Sequence, residues 1–201
     1  MTGQKLAIFD FDHTLVAGDS FWPFLEYASG CAATYAALAE GLARFALHRA
    51  QGGQGGGREE MRTFLKAFLL RRLIAGKNQE TIVAAAARTR LWQKMNAPVM
   101  HELREHHEKG HKILIASGGL DLYLPELLRD VPHDALICTD IGMQNGVATG
   151  EMIHGNCVRL RKAERVGEWM AANGPFDESW GYGNYPHDVP MLTLVKHRII
   201  V

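Results

Sequence analysis

Lys5-Leu6-Ala7-Ile8-Phe9-Asp10-Phe11-Asp12-His13-Thr14 decides the reading of this chain. The first five residues form a short apolar run, rich in Ile and Phe, that stops at a carboxylate. A run of that length without polar alternation predicts a strand buried on both faces. Asp10 and Asp12 then stand two residues apart at its end, where like charges repel. A divalent cation is the simplest partner that would justify them.

The same pattern returns after Asn96. Lys112-Ile113-Leu114-Ile115-Ala116 predicts a second buried strand, Asp134–Cys138 a third, Trp180–Gly183 a short fourth and Arg198–Val201 a fifth. Helices are expected between them. One starts at Asn96 as N-cap, carries Pro98 in its first turn and ends at Gly110. Others are expected over 121–130, 157–172 and 189–195. Asn145-Gly146 suggests the turn of a small hairpin. This rhythm predicts an α/β fold, a Rossmann-like three-layer αβα core with a parallel sheet.

Between residues 16 and 96 the pattern is helical. One or two helices are expected over 24–49, another over 59–75 and a further one over 78–92. Gln51–Gly57 is rich in glycine and predicts a flexible loop. The expected organisation is a core of residues 1–15 and 97–201 with an inserted all-helical cap of residues 16–96.

The 201 residues suit one domain with a modest insertion. Lys and Arg number 22, as do Asp and Glu, so the formal charge is zero; this argues against a nucleic-acid partner. A hydrophobic share of 47% argues against a disordered chain. No apolar run approaches the roughly 18 residues of a membrane span, so no stable membrane insertion is expected. Met1–Lys5 shows no secretory pattern, and Cys31, Cys138 and Cys157 are far apart and odd in number. Reduced thiols in a cytoplasmic protein are the expectation. Val201 ends the last expected strand, which leaves room for a further C-terminal segment.

Ligands of such sheets bind beyond the carboxyl ends of the strands. After the second strand come Ser117-Gly118-Gly119, suited to a phosphate group through a hydroxyl and backbone N–H groups. After the fourth come Asn184 and Asp188, and Lys162 near the start of a helix offers a positive charge.

With these residues in order, the chain resembles the haloacid dehalogenase superfamily. Asp10-Phe11-Asp12-His13-Thr14 looks like its first motif, DxDx[TV], and Ala116–Gly119 like its second. Lys162 looks like the third and Gly183-Asn184 through Asp188 like the fourth. The helical insertion resembles the cap of the phosphoserine-phosphatase-like branch. The resemblance implies a Mg²⁺-dependent phosphomonoester hydrolase that works through an aspartyl-phosphate on a small phosphorylated metabolite. Asp10 would be the nucleophile, Asp12 the general acid and base, and Lys162 would stabilise charge on Asp10 and the phosphoryl group. Ser117, Gly118 and Lys162 would hold phosphate oxygens, and Thr14, counted with them, would steady the Asp12 region. Asp10, the Asp12 carbonyl, Asn184 and Asp188 would hold Mg²⁺. Asn184 departs from the family's usual Asp, which removes one charge from the metal site and implies weaker metal binding.

Other features leave alternatives. Arg58–Arg72 is either a cap helix packed inward or a surface for an acidic lipid. Asp19–Trp22 either touches the leaving group or caps and packs a helix. His101, His106, His107 and His111 are expected on a solvated polar face. His13 receives no catalytic role, and His187 is read as a loop residue. A lipid- or glycerophosphate-type phosphatase is the alternative within the same chemistry. A phosphate-binding regulatory protein without turnover is the alternative outside it.

Overall fold

The computed structural model describes residues 3–51 and 57–201, with Trp92 described by its backbone alone. In chain order its first half holds β1 (Lys5–Phe9), α1 (Phe21–Ser29), α2 (Cys31–Ala50), α3 (Arg58–Leu69), α4 (Gln79–Trp92) and α5 (Ala97–Glu108). The second half holds β2 (Lys112–Leu120), α6 (Leu124–Leu127), β3 (Ala135–Thr139), β4 (Ile141–Gln144), β5 (Val147–Met152), α7 (Arg159–Asn173), β6 (Glu178–Gly183), α8 (Val189–Leu192) and β7 (His197–Ile200).

Five strands form one sheet in the order β3-β2-β1-β6-β7, and every pairing is parallel. β1 lies at the centre because its apolar residues must be covered on both faces. Leu6 and Ile8 pack with Leu114, Ala116 and Ile137 under Val166 of α7 and Met191 and Leu192 of α8. Ala7 and Phe9 point the other way, with Ile113 and Ile115, onto Val99, Met100 and Leu103 of α5. The alternation is the period of two of a strand, and it produces three layers.

The chain leaves β1 and returns to α5 through a narrow neck. Val16 pairs with Met95, Ala17 N–H donates to Lys94 O at 2.9 Å, and Asn96 N–H donates to Leu15 O at 2.8 Å. Between these points lie α1 to α4, with a π-helical turn over Leu70–Ile74 after α3. Their buried residues, among them Phe24, Leu25, Leu69, Leu70 and Ile82, share one apolar cluster with Phe9 and Ile115. The β4–β5 hairpin turns at Asn145-Gly146 and braces the insertion. Gly76 N–H donates to Ala148 O, Ala148 N–H to Lys77 O and Gln79 N–H to Gly146 O, at 2.9, 2.9 and 3.1 Å. Gly150 has φ +74, and a Cβ there would sit 2.7 Å from Leu70 O, so the brace can approach this closely only at a glycine.

Several expectations need correction. β2 continues through Ser117-Gly118-Gly119 to Leu120, where a loop was expected. The helix expected over 121–130 shrinks to Leu124–Leu127, because the strand uses the residues before it and Pro125 opens it in its first turn. The helix expected over 189–195 ends at Leu192. Asn96 occupies the N-cap position of α5 without a side-chain cap bond. Asn78 supplies one for α4, accepting from Thr81 N–H at 3.0 Å. The three cysteines are free thiols, Cys31 exposed and the other two buried. The glycine loop expected over Gln51–Gly57 lies mostly outside the described residues.

His106 is also a correction, since it is 7% exposed and not solvated. Its Nε2 lies 3.0 Å from the Tyr182 hydroxyl, and its Nδ1 lies 2.7 Å from Nδ1 of His111. Tyr182 donates to Glu102 at 3.1 Å. One neutral arrangement satisfies the chain: His106 protonated on Nε2 and accepting at Nδ1 from His111. A second proton, on His106 Nδ1, requires His111 to give up its own Nδ1 proton and accept instead. Burial first, then the neighbouring His111 and Lys109, push its pKa down to about 4. The unfolded chain protonates at the ordinary value of 6.5, so it takes up the proton first as pH falls. The stabilisation is complete above that value and is lost progressively down to about 4. Denaturant unfolding from pH 7 to 4.5 is expected to show wild type losing up to about 1.4 kcal/mol per pH unit more than His106→Gln. Parallel pH profiles would show that His106 does not titrate this way.

Candidate active site

The register of the sheet assembles the site. Phe9 stands opposite Ile115 of β2 and Tyr182 of β6, so the residues following β1 and β6 emerge beside the Ser117 segment of β2. Asp10 N–H still donates to Tyr182 O, at 2.9 Å, which extends the sheet by one bond and fixes the direction of the Asp10 side chain.

Asp10, Lys162 and Asp188 are at most 4% exposed. Lys162 Nζ donates to Asp10 Oδ1 and to Asp188 Oδ1, each at 2.7 Å. Burial alone would push the ammonium down, but the two carboxylates outweigh it and hold its pKa above the ordinary value. Burial raises Asp10, against the pull of Lys162. Thr14 Oγ1 donates to Asp10 Oδ2 at 3.0 Å. Thr14 therefore steadies Asp10 and not the Asp12 region.

Asn184 faces the other side of Asp10. Its Nδ2 lies 3.3 Å from Asp10 Oδ2 and 3.2 Å from the Asp12 carbonyl oxygen. Two oxygens thus converge on a partially positive group, the environment that a hard cation seeks. Turning the amide over presents its own oxygen to the same point. The donors fit Mg²⁺: a carboxylate, a main-chain carbonyl and an amide oxygen. Asp188 lines the same cleft, with Oδ1 on Lys162 and Oδ2 accepting from Asn184 N–H at 2.9 Å. It ties the lysine to the Asn184 backbone. Gly183 permits this, since a Cβ there would lie 2.6 Å from the Asp188 Cβ.

The Asp12 carboxylate turns away from Asp10. Oδ1 accepts from Ser20 N–H at 2.8 Å, and the Ser20 hydroxyl bonds to Tyr123 OH at 3.0 Å. Burial first, then the Asp19 charge, push the Asp12 pKa up to about 7. Asp19 accepts from Phe21 and Trp22 N–H at 2.9 and 3.2 Å, so it caps α1.

Ser117 is fully buried, and its Oγ accepts from Gly119 N–H at 2.9 Å. Both glycines are required by close approach: a Cβ at Gly118 would lie 2.9 Å from Val158 Cγ1, and one at Gly119 2.9 Å from Tyr123 OH. Lys66 reaches this segment from α3, and sequence reading missed it. Its Nζ donates to Gly118 O, to Thr139 Oγ1 at 3.1 Å and to Asn156 Oδ1 at 2.8 Å. Burial pushes its pKa down to about 8.

Of these groups, Asp10, Asp12, Lys162, Asn184, Asp188, Gly118, Gly119 and Lys66 line an open cleft of about 600 Å³ between the strand ends and α3. Glu59, Arg62, Thr63 and Lys66 fall at helical spacing along α3, and that spacing was the available signal. All four reach across: Glu59 to Arg159 at 3.2 Å, Arg62 to His187 at 3.3 Å and Thr63 to Asn156 at 3.2 Å, with Lys66 deepest. His187 therefore lies at the cleft mouth. Phe64 packs on Phe45 of α2 with ring centroids 5.3 Å apart, while Leu65 and Leu69 line the cleft. The Arg58–Arg72 segment is a packed helix, not a free lipid-facing surface. Among the described residues no helix is long and apolar enough to cross a membrane.

A family profile described as haloacid dehalogenase-like hydrolase matches residues 7–193. The chain belongs to this family. Among curated relatives, a phosphoserine phosphatase of Lactococcus lactis subsp. lactis is 31% identical over 88 residues, 43% of this chain and 40% of that one. A solved structure from Bordetella pertussis Tohama I, of unknown function, is 24% identical with a TM-score of 0.75, covering 99% of this chain and 90% of that one. A phosphoserine phosphatase carrying a phospho-aspartyl intermediate analogue is 16% identical with a TM-score of 0.65, covering 99% and 87%. At these identities the two structures establish a shared fold.

In this chain the Lys162 ion triad is a test of the site's electrostatics. Lys162→Met leaves two buried carboxylates facing each other, and is expected to lower the unfolding free energy at pH 7 by about 3–5 kcal/mol. Asp10→Asn leaves a one-to-one pair and is expected to cost markedly less. Denaturant titration of both variants makes the comparison, and equal losses would show that the lysine is not the common counter-charge.

Proposed function

We propose that this chain is a phosphomonoester hydrolase that uses Mg²⁺ and an Asp10 aspartyl-phosphate on a small phosphorylated metabolite. The core would be residues 1–15 and 97–201, with residues 16–96 as cap. The observation that carries this reading is the treatment of Asp10: a buried carboxylate at a strand end, facing a cleft, with Lys162 at 2.7 Å on one oxygen and Thr14 at 3.0 Å on the other. A structural ion pair has no need of a cleft or of a second cationic site beside it.

Asp10 Oδ1 bears one hydrogen bond and retains a lone pair for phosphorus. As the Asp10–phosphorus bond forms, the bond to the leaving oxygen breaks. Asp12, protonated near neutrality because it is buried, gives that oxygen its proton. The resulting carboxylate then takes a proton from the water that attacks the phospho-enzyme, releasing phosphate and restoring Asp10. Lys162 balances charge on Asp10 throughout, and Asp188 holds Lys162 and the Asn184 backbone in place. Asp10 Oδ2, the Asp12 carbonyl and the Asn184 amide oxygen would hold Mg²⁺. When bound, it neutralises the phosphate and nucleophile charges that otherwise repel. Arg58, Arg62 and Arg159 along the walls, with Phe21 and Trp22, suit a compact ester whose other end is anionic. The relatives named as phosphoserine phosphatases make a phosphorylated amino acid the first candidate.

Phosphate release from an aryl phosphate with Mg²⁺ present tests this reading. Asp10→Asn is expected to lower turnover by more than about 10³-fold with an unchanged circular dichroism spectrum. Wild-type-like turnover in that variant would remove Asp10 as nucleophile. Phosphate binding without turnover in wild type would favour a binding protein instead.

Asn184 gives a second outcome. Asn184→Asp adds a negative charge at nearly constant size and is expected to lower the half-saturating Mg²⁺ concentration roughly tenfold. The titration is run at fixed ionic strength. An unchanged or raised value would place residue 184 away from the metal.

A further inference from the structure

Lys66 is a buried cation whose three hydrogen bonds all go to neutral oxygens: Gly118 O, Thr139 Oγ1 and Asn156 Oδ1. It uses one bond for each ammonium proton, so it is fully engaged and makes no direct claim on a substrate. What it holds matters more. Thr139 Oγ1 donates to the same Gly118 carbonyl at 3.0 Å while accepting from Cys157 N–H at 3.1 Å. Two donors from different elements thus fix one carbonyl. Across the planar trans peptide, the Gly119 N–H points the opposite way, and there it donates to Ser117 Oγ at 2.9 Å. That bond fills an acceptor position of Ser117. The hydroxyl proton of Ser117, fully buried, then has no acceptor among the described residues and is left as a donor.

We propose that Lys66 is a positioning residue that couples seating of α3 on the sheet to construction of the phosphate cradle. Its ammonium and the Thr139 hydroxyl clamp the Gly118–Gly119 peptide plane, and the clamped plane holds Ser117 as a donor for a phosphate oxygen. Lys66 is carried by the helical insertion, whereas the cradle belongs to β2. The cradle is therefore complete only while α3 lies over the cleft. A leaving group that fits between α3 and the sheet sharpens the grip on its own phosphate, and one that props α3 away loosens it. This inference rests on the phosphatase reading of the site.

The test is calorimetric binding of inorganic phosphate, in a Mg²⁺-containing buffer, to wild type, Lys66→Met, Thr139→Val and Thr139→Ser. Lys66→Met and Thr139→Val are each expected to weaken binding about tenfold, and the KM for an aryl phosphate should rise in parallel. Thr139→Ser keeps the hydroxyl and should bind like wild type. Thr139→Val removes no charge, so its effect separates the clamp from simple attraction between an ammonium and an anion. Weakening in Lys66→Met alone would mean that Lys66 acts by charge, and would overturn the clamp. Unchanged binding in both variants would overturn it as well. If Lys66→Met does not fold, the Thr139→Val and Thr139→Ser pair decides. If wild type binds no phosphate, the phosphatase reading fails and the clamp falls with it.

Discussion

One ammonium between two carboxylates organises this molecule. Lys162 comes from α7, Asp10 from the end of β1 and Asp188 from the loop after β6. Lys162 with either carboxylate alone would be an ordinary buried pair, whose desolvation can outweigh its attraction. The third makes the arrangement depend on the whole sheet, because β1 and β6 must lie in register and α7 must dock through Val166 for the lysine to reach both oxygens. Local features serve that requirement: Gly183 has no Cβ to obstruct Asp188, and Thr14 and Asn184 hold the Asp10 oxygen that Lys162 does not.

Strand order explains why the chemistry collects at this place. β1 is central, and the chain runs to β2 on one side and to β6 on the other. Connections leaving in opposite directions open a crevice above the strand ends. The insertion leaves directly after β1 and spans that crevice, while the β4–β5 hairpin braces it through backbone bonds to residues 76–79. Because the insertion shares one apolar cluster with the α5 side of the sheet, its position over the crevice is fixed by packing as well as by the polar stripe on α3. The cleft is then a consequence of topology, and its polarity is a consequence of which residues end the strands.

The parallel sheet was legible because buried strands leave unbroken apolar runs, as in Leu6–Phe9 and Ile113–Ala116. The helical insertion was legible because it lacks such runs. Strand ends pointed to Asp10, Asp12, Ser117, Asn184 and Asp188; the structure brings the four other residues around one cleft and buries Ser117 beside Gly118 and Gly119, which line it. What escaped sequence reading depends on tertiary contact. Ser117-Gly118-Gly119 has the composition of a loop, yet Gly118 and Gly119 are glycine because Val158 and Tyr123 lie against them while the strand continues. His106 sits in a polar stretch of sequence, but Tyr182 and His111 give it neutral partners inside. Lys66 looked like one charge among several on an amphipathic helix. Its acceptors at residues 118, 139 and 156 are too distant in sequence for any local pattern to reveal them.

The charge balance of the cleft follows from these placements. Asp10 and Asp188 bring two negative charges, and Lys162 and Lys66 bring two positive ones. Asp12, with its pKa pushed up to about 7, is partly neutral near pH 7. The floor is thus close to neutral before any ligand arrives. An aspartate at 184 would tip it negative, favouring a divalent cation and repelling a phosphate dianion; the amide relaxes both effects. On the phosphatase reading, the free energy of loading then comes from cation and phosphate meeting each other across Asp10, more than from either meeting the protein alone. On that reading, a site of this kind would give up affinity for the lone metal and retain affinity for the metal–phosphate pair.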